Sequence, residues 1–272
     1  MGFIGNAGIE SICQPCMYGD KKVSEVLKVR NLTKSFGGVT AVHDLSFELR
    51  EGETMGLIGP NGAGKTTLVN VLCGSLYADS GEIEMDGKRI TRMKPYQRCH
   101  LGLSRTYQIP RPFPELTALM SVVTSALCGK KRLNRGWDDA AAEATHYLEF
   151  VGLFSKRNIL ARDLTFFELR MLELARALAT TPKLLFVDEV MAGLNPGEAN
   201  KAVHLIARAK EDFGLTIFWI EHVMAVLMEA AERIMAIHFG EKIAEGSPEE
   251  IASDERVIEA YLGSGWRPQR MA

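Results

Sequence analysis

The stretch Gly59-Pro-Asn-Gly-Ala-Gly-Lys-Thr-Thr67 constrains this chain more than any other. Gly59, Gly64, Lys65 and Thr66 fall in the register G-x-x-x-x-G-K-[ST], with the apolar run Met55-Gly-Leu-Ile58 before it and Leu68-Val-Asn-Val-Leu72 after it. That order reads strand, loop, helix. The loop Gly59, Pro60, Asn61, Gly62, Ala63 and Gly64 lets backbone N–H groups close round phosphate oxygens, because its glycines put no Cβ in the way. A helix starting through Lys65, Thr66 and Thr67 adds the positive end of its dipole. Lys65 then reaches the β- and γ-phosphates, and the Thr66 hydroxyl ligates Mg²⁺. A Gly-rich turn matching the pattern by chance would lack this strand and helix context, so the chain is expected to bind a nucleotide.

With 272 residues, 46% of them hydrophobic, the chain can bury a large core around one nucleotide site. Acidic and basic residues nearly cancel, 34 against 32, so charge suggests no nucleic-acid partner. No apolar stretch approaches the roughly 18 residues a membrane span needs, and no signal peptide is legible, so a cytoplasmic location is expected. The five cysteines are scattered, an odd number that argues against a disulfide framework. Cys13-Gln-Pro-Cys16 lacks a second pair at metal-ligand spacing and reads as two free thiols in a loosely ordered leader, residues 1–25.

Leu27 to Phe36 and Ala41 to Leu49 read as strands joined at Gly37-Gly38, and Glu82 to Asp86 alternates into an Asp86-Gly87 hairpin turn, giving an antiparallel side sheet. After Gly102 a short strand-like piece carries Gln108. Pro110, Pro112 and Pro114 then break the pattern before helices from about Thr117 and Asp138, a small helical subdomain over about 110–165. Ala144, Tyr147, Leu148 and Val151 form a core-facing stripe in the second helix. From Thr165 the chain alternates helix, strand Leu184 to Val187, helix from Pro196 and strand Thr216 to Ile220. Such alternation predicts an α/β fold with a mainly parallel sheet covered on both faces, its ligand at the carboxyl ends of the strands.

Asp188-Glu189 follows the buried strand directly, and neighbouring residues at a strand end point to opposite sides of the sheet. Asp188 can therefore hold Mg²⁺ through water while Glu189 orients or deprotonates an attacking water. No Asn-Lys-x-Asp guanine reader is present. Gln108, in Arg105-Thr-Tyr-Gln108, and His222, in Ile220-Glu-His222, gain weight from their order relative to Lys65 and Asp188.

In these landmarks the chain resembles the ATP-binding subunits of ABC transporters, from about residue 26 to 263, with 264–272 a tail. The resemblance implies ATP and Mg²⁺ as ligands, Gln108 as a Q-loop residue that acts in catalysis and approaches the metal, and Asp188 and Glu189 as metal-holding residue and catalytic base. It also implies Gly193-Leu-Asn-Pro196 as the D-loop and His222 as the switch histidine. Phe36 matches the position that stacks on adenine, and packing within the side sheet is the equal alternative. The nearest likeness is to the ATPases of branched-chain amino acid importers, through Lys34-Ser-Phe-Gly-Gly-Val-Thr-Ala-Val42, Leu103-Ser-Arg-Thr-Tyr-Gln108, Leu172-Glu-Leu-Ala-Arg-Ala-Leu178, Asp188-Glu-Val-Met-Ala-Gly-Leu-Asn-Pro196 and Val257-Ile-Glu-Ala-Tyr-Leu-Gly263. Urea-importer ATPases look similar, and lipopolysaccharide-exporter ATPases share the core. A soluble ABC ATPase acting on translation or DNA would carry a second such domain or long coiled-coil insertions, for which 272 residues leave no room.

One departure stands out. The family signature, usually Leu-Ser-Gly-Gly-Gln, falls on Leu164-Thr-Phe-Phe-Glu168, so Phe166 and Phe167 replace both glycines. Thr165 and Glu168 still form a capping box for an anion-attracting helix start, yet a phenylalanine should crowd a γ-phosphate. Either this signature is silent, or both rings rotate aside and leave the backbone donors usable. In the family each ATP lies between one chain's phosphate loop and its partner's signature. The resemblance therefore implies a heterodimer with a second ATP-binding subunit, on two membrane permease subunits at the cytoplasmic membrane face, fed by an external solute-binding protein.

Overall fold

The computed structural model describes residues 24–129, 136–222 and 224–262. Residues 1–23 of the leader, with Cys13 and Cys16, and the tail 264–272 lie outside them, while Glu25, assigned to the leader from sequence, already opens the first strand. Two sheets organise what is described. The first runs β2-β1-β4-β5, antiparallel throughout: β1 (Glu25–Phe36), β2 (Val39–Arg50), β4 (Ser80–Met85) and β5 (Lys88–Arg89). The second has the order β10-β9-β3-β8-β7-β6, formed by β3 (Thr54–Ile58), β6 (Leu103–Arg105), β7 (Leu184–Asp188), β8 (Thr216–Ile220), β9 (Arg233–His238) and β10 (Glu241–Gly246). Only its β9–β10 pair is antiparallel, as alternating β and α segments require.

The central strands β3, β7 and β8 are buried along their whole length, which is why they read as unbroken apolar runs. Residues alternate between two apolar clusters on the two faces of this sheet. Leu57, Phe186 and Phe218 face the side sheet, whereas Ile58, Leu185, Val187 and Trp219 face the helices. The helical cluster includes α3 (Ala118–Cys128), α4 (Trp137–Phe150) and α5 (Phe166–Ala179), with the Ala144, Tyr147, Leu148 and Val151 stripe buried in it. The helices therefore share one core with the sheet face they cover. Two shorter helices, α1 (Lys65–Leu72) and α2 (Pro95–Leu101), come earlier in the chain; α6 (Pro196–Phe213) starts in the Asn195/Glu198 capping box and stops at Gly214 in a left-handed turn, and α7 (Met224–Ala230) and α8 (Pro248–Ser253) follow it.

One boundary differs from the sequence reading. Strand β6 ends at Arg105, so Gln108 sits in the following loop. Thr106 N–H still bonds the Phe186 carbonyl at 2.9 Å. Beyond it the Tyr107 and Gln108 carbonyls accept from the Arg170 guanidinium of α5 instead, at 2.7 and 2.6 Å, and the chain leaves the ladder.

Candidate functional site

Strand β3 delivers the chain into the loop Gly59–Gly64, and α1 (Lys65–Leu72) starts at once with no side-chain cap on its first N–H groups. Gly64 holds φ +103, and a Cβ there would lie 2.1 Å from the Ala41 carbonyl oxygen, so only glycine lets β2 close against the loop. Lys65 is buried and donates to the Gly59 and Pro60 carbonyls at 2.5 and 3.0 Å. Burial lowers its pKa, opposed by the charges of Glu189 and Asp188. The loop thus encloses a buried ammonium whose recorded hydrogen bonds go to two of its own carbonyls.

One cleft, lined by Ala41, Asn61 to Thr67, Gln108, Glu189 and His222, gathers residues from five separate segments. Glu189, 6% exposed, adopts φ +46, uncommon for a residue with a side chain, while its N–H bonds the Ile220 carbonyl at 2.9 Å. Its two oxygens are shared: Oε1 lies 2.5 Å from His222 Nε2 and Oε2 accepts from Gln108 Nε2 at 2.5 Å. Since a carboxylate only accepts, His222 Nε2 carries the proton in this arrangement.

Asp188 points to a neighbouring cleft, lined also by Thr66, Asn70, Arg105, Tyr107 and Gln108. The two adjacent carboxylates thus serve different spaces, as the strand-end geometry requires. Arg105 Nη2 donates to Asp188 Oδ2 at 2.8 Å and its Nη1 to Asn70 Oδ1 at 2.8 Å, with both charged side chains under 10% exposed. Burial pushes the Asp188 carboxyl above its ordinary value, with Arg105 pulling the other way. Arg105 also lies over the Tyr107 ring, whose surroundings include Arg111.

Thr66, Gln108 and Asp188 offer a hydroxyl, an amide and a carboxylate, the hard oxygen donors that suit Mg²⁺. No group of three or more His, Cys, Asp or Glu side chains fit to hold a metal occurs among the described residues. A cation here would share its coordination with phosphates and water, as Mg²⁺ does.

Phe36 and Thr165 line neither cleft. Phe36, at the end of β1, is 48% exposed with Lys34 Nζ 5.3 Å above its ring. Thr165 caps α5: its Oγ1 accepts from Glu168 N–H at 3.4 Å, and Glu168 returns a bond to Thr165 N–H at 3.0 Å while pairing with Lys156 at 2.5 Å. The Phe166 ring, 43% exposed, stands under the Arg170 guanidinium and against Gly193, while Phe167 packs into the helical core.

Three features escape a sequence reading. Arg105 is visible only as the residue three before Gln108. Glu221 is buried beside His222, accepts from Met191 N–H at 3.2 Å, and has its pKa raised chiefly by burial. On α5, Arg170, Glu173 and Arg176 face the loop bearing Gln108; Arg176 donates to the Arg111 carbonyl at 2.7 Å. Burial pushes the Glu173 carboxyl up to about 7, and neither of its oxygens has a hydrogen-bond partner at ordinary geometry.

A parallel sheet with a phosphate loop at the carboxyl end of β3 and paired carboxylates ending β7 defines a P-loop nucleotide-binding protein. The family model for ABC transporters matches residues 42–192, and one for the branched-chain amino acid ATP-binding cassette transporter matches 241–266. The chain is 37% identical to the high-affinity branched-chain amino acid transport ATP-binding protein LivG of Salmonella typhimurium, over 88% of this chain and 98% of that one. It is 36% identical, at the same coverage, to BraF of Pseudomonas aeruginosa, which carries the same description. A crystal structure of the ADP conformation of an ATP-binding cassette of an ABC transporter superposes with a TM-score of 0.79, at 31% identity, over 89% of this chain and all of that one. This chain belongs to the ABC transporter ATP-binding family.

Proposed function

We propose that the chain is the ATP-hydrolysing subunit of an ABC importer, working on membrane permease subunits to take up branched-chain or related amino acids. The observation that carries this is the convergence of Lys65, Gln108, Glu189 and His222 on one cleft. The names of the relatives supply the amino acid class.

Backbone N–H groups of Gly62 to Thr67 bind the phosphates, and Lys65 exchanges the Gly59 and Pro60 carbonyls for phosphate oxygens. Glu189 orients the attacking water in line with the γ-phosphate, while Gln108 and His222 hold its carboxylate in place. Thr66, Asp188 and Gln108 would hold Mg²⁺, which when bound neutralises developing phosphate charge. Phe36, half exposed at the end of β1, stacks on adenine. No helix of the described residues is long and apolar enough to cross a membrane, in keeping with a subunit docked on the membrane's cytoplasmic face through permeases.

The partner is a second ATP-binding subunit with an intact signature, and the pair is asymmetric. Supporting this, the Thr165 and Glu168 N–H groups at the start of α5 are spent in the Thr165/Glu168 box, and the Phe166 ring occupies the surface against Gly193. The site on Lys65 and Glu189 is then active, and the one borrowing Thr165 is impaired. Purification of the complex from solubilised membranes tests the assembly: two multi-span proteins and a second ATP-binding chain should accompany this one. Absence of any multi-span protein would refute it. Thr165→Ala should leave turnover unchanged; a large loss would show the signature to be working.

A further inference from the structure

The last described helix, α9 (Glu255–Leu262), returns to the start of the phosphate loop 202 residues earlier in the chain. Its Tyr261 hydroxyl accepts from the Gly59 backbone N–H at 2.8 Å. Gly59 is otherwise tightly confined. It holds φ +157, and a Cβ there would lie 2.3 Å from the Ile237 carbonyl oxygen. Its own carbonyl accepts from Lys65 Nζ. The peptide groups on either side of this one residue are thus tied in two directions, one to the C-terminal helix and one to the phosphate-binding lysine. A separate bond, Gly240 N–H to the Ala63 carbonyl at 2.9 Å, fixes the far side of the loop from the β9–β10 turn.

The two ties on Gly59 have different fates. Lys65 lets go of the Gly59 carbonyl when it turns to a phosphate, and the Tyr261 hydroxyl is then the side-chain bond that keeps the loop entrance where β3 delivers it. We propose that Tyr261 is a positioning residue for nucleotide binding, through which the docking of α9 sets the affinity of the phosphate loop. The inference rests on the nucleotide reading given above. A Tyr hydroxyl suits the task because it accepts an N–H, and partial burial raises its pKa, so it stays protonated.

The test compares the full chain with Tyr261→Phe, which removes one oxygen and keeps the ring. Binding of a fluorescent ATP analogue should weaken by about fivefold, the equivalent of one neutral hydrogen bond. In the assembled complex the loss should fall on KM for ATP and not on kcat. The melting temperature of the nucleotide-free chain should move little, and the Gly59 amide should exchange with solvent faster in the variant. In the unmodified chain that amide should exchange slowly with and without nucleotide. Unchanged nucleotide affinity, or a lowered melting temperature with unchanged affinity, would reduce Tyr261 to a structural contact and overturn the proposal. Rapid Gly59 exchange in the unmodified chain would overturn it without any variant. If the unmodified chain fails to bind the analogue, the nucleotide reading falls and takes this inference with it, an outcome distinct from a difference confined to the variant.

Discussion

Arg105→Met keeps the length of the side chain and strips Asp188 of its cation in a place where neither partner exceeds 9% exposure. Removing one member of a buried pair costs about 3–5 kcal/mol, because the remaining charge stays desolvated. The carboxylate has one escape, to take up a proton, at about 1.4 kcal/mol for each unit between the working pH and the ordinary value near 3.9. Near pH 8 that escape costs about 5–6 kcal/mol, so the whole 3–5 is felt; near pH 5.5 protonation caps the loss at about 2 kcal/mol. Burial already holds the Asp188 pKa above its ordinary value, and losing Arg105 raises it further. The folded variant then keeps a proton that the unfolded chain has shed, and its stability falls as pH rises from about 4 to the raised folded value. Urea denaturation of the nucleotide-free chain at the two pH values measures the difference. Adding Asp188→Asn should recover much of the loss near pH 8, with a coupling of about 3 kcal/mol in a double-mutant cycle. Equal losses at both pH values, or a loss below about 1 kcal/mol near pH 8, would refute the reasoning.

Glu173, with a folded pKa of about 7, lends the fold stability at low pH that is lost as pH rises from the unfolded value to the folded one. Relative to wild type, Glu173→Gln should therefore gain about 2 kcal/mol between pH 5 and pH 8, read by the same denaturation assay; no pH-dependent difference would count against it. Phe166→Gly in the assembled pair should raise ATP turnover if the ring silences the signature, and unchanged turnover would place the block elsewhere. His222→Ala should lower kcat far more than it raises KM for ATP, since it removes a partner of Glu189 and no phosphate contact. A change confined to KM would argue that His222 serves binding.

The phosphate loop was legible because strand, loop and helix are consecutive in sequence, and local spacing alone fixes the geometry. Asp188 and Glu189 were legible for the same reason, their opposite facing following from adjacency at a strand end. Caps such as Asn195/Glu198 and Thr165/Glu168 span three residues and are equally local. Partnerships across the fold were not legible. Arg105 meets Asp188 from 83 residues away, and the Tyr261 hydroxyl meets Gly59 across 202, so neither pairing leaves a periodic or spaced trace. The premature end of β6 had the same origin, because Arg170 on a distant helix takes the carbonyls that would have continued the strand. At the signature, crowding by Phe166 and Phe167 was legible from their identity, but not where the rings go. One stands against Gly193 and the other enters the core, which only tertiary packing decides.

The most direct measurement is ATP-driven uptake of labelled leucine into proteoliposomes holding the complete complex, with its binding protein outside and Glu189→Gln made in this chain alone. Hydrolysis and uptake should fall together by about a hundredfold or more, the usual scale for losing a general base, while ATP binding persists. Undiminished uptake and turnover with that substitution would contradict the account, leaving this chain a structural companion to a catalytic partner.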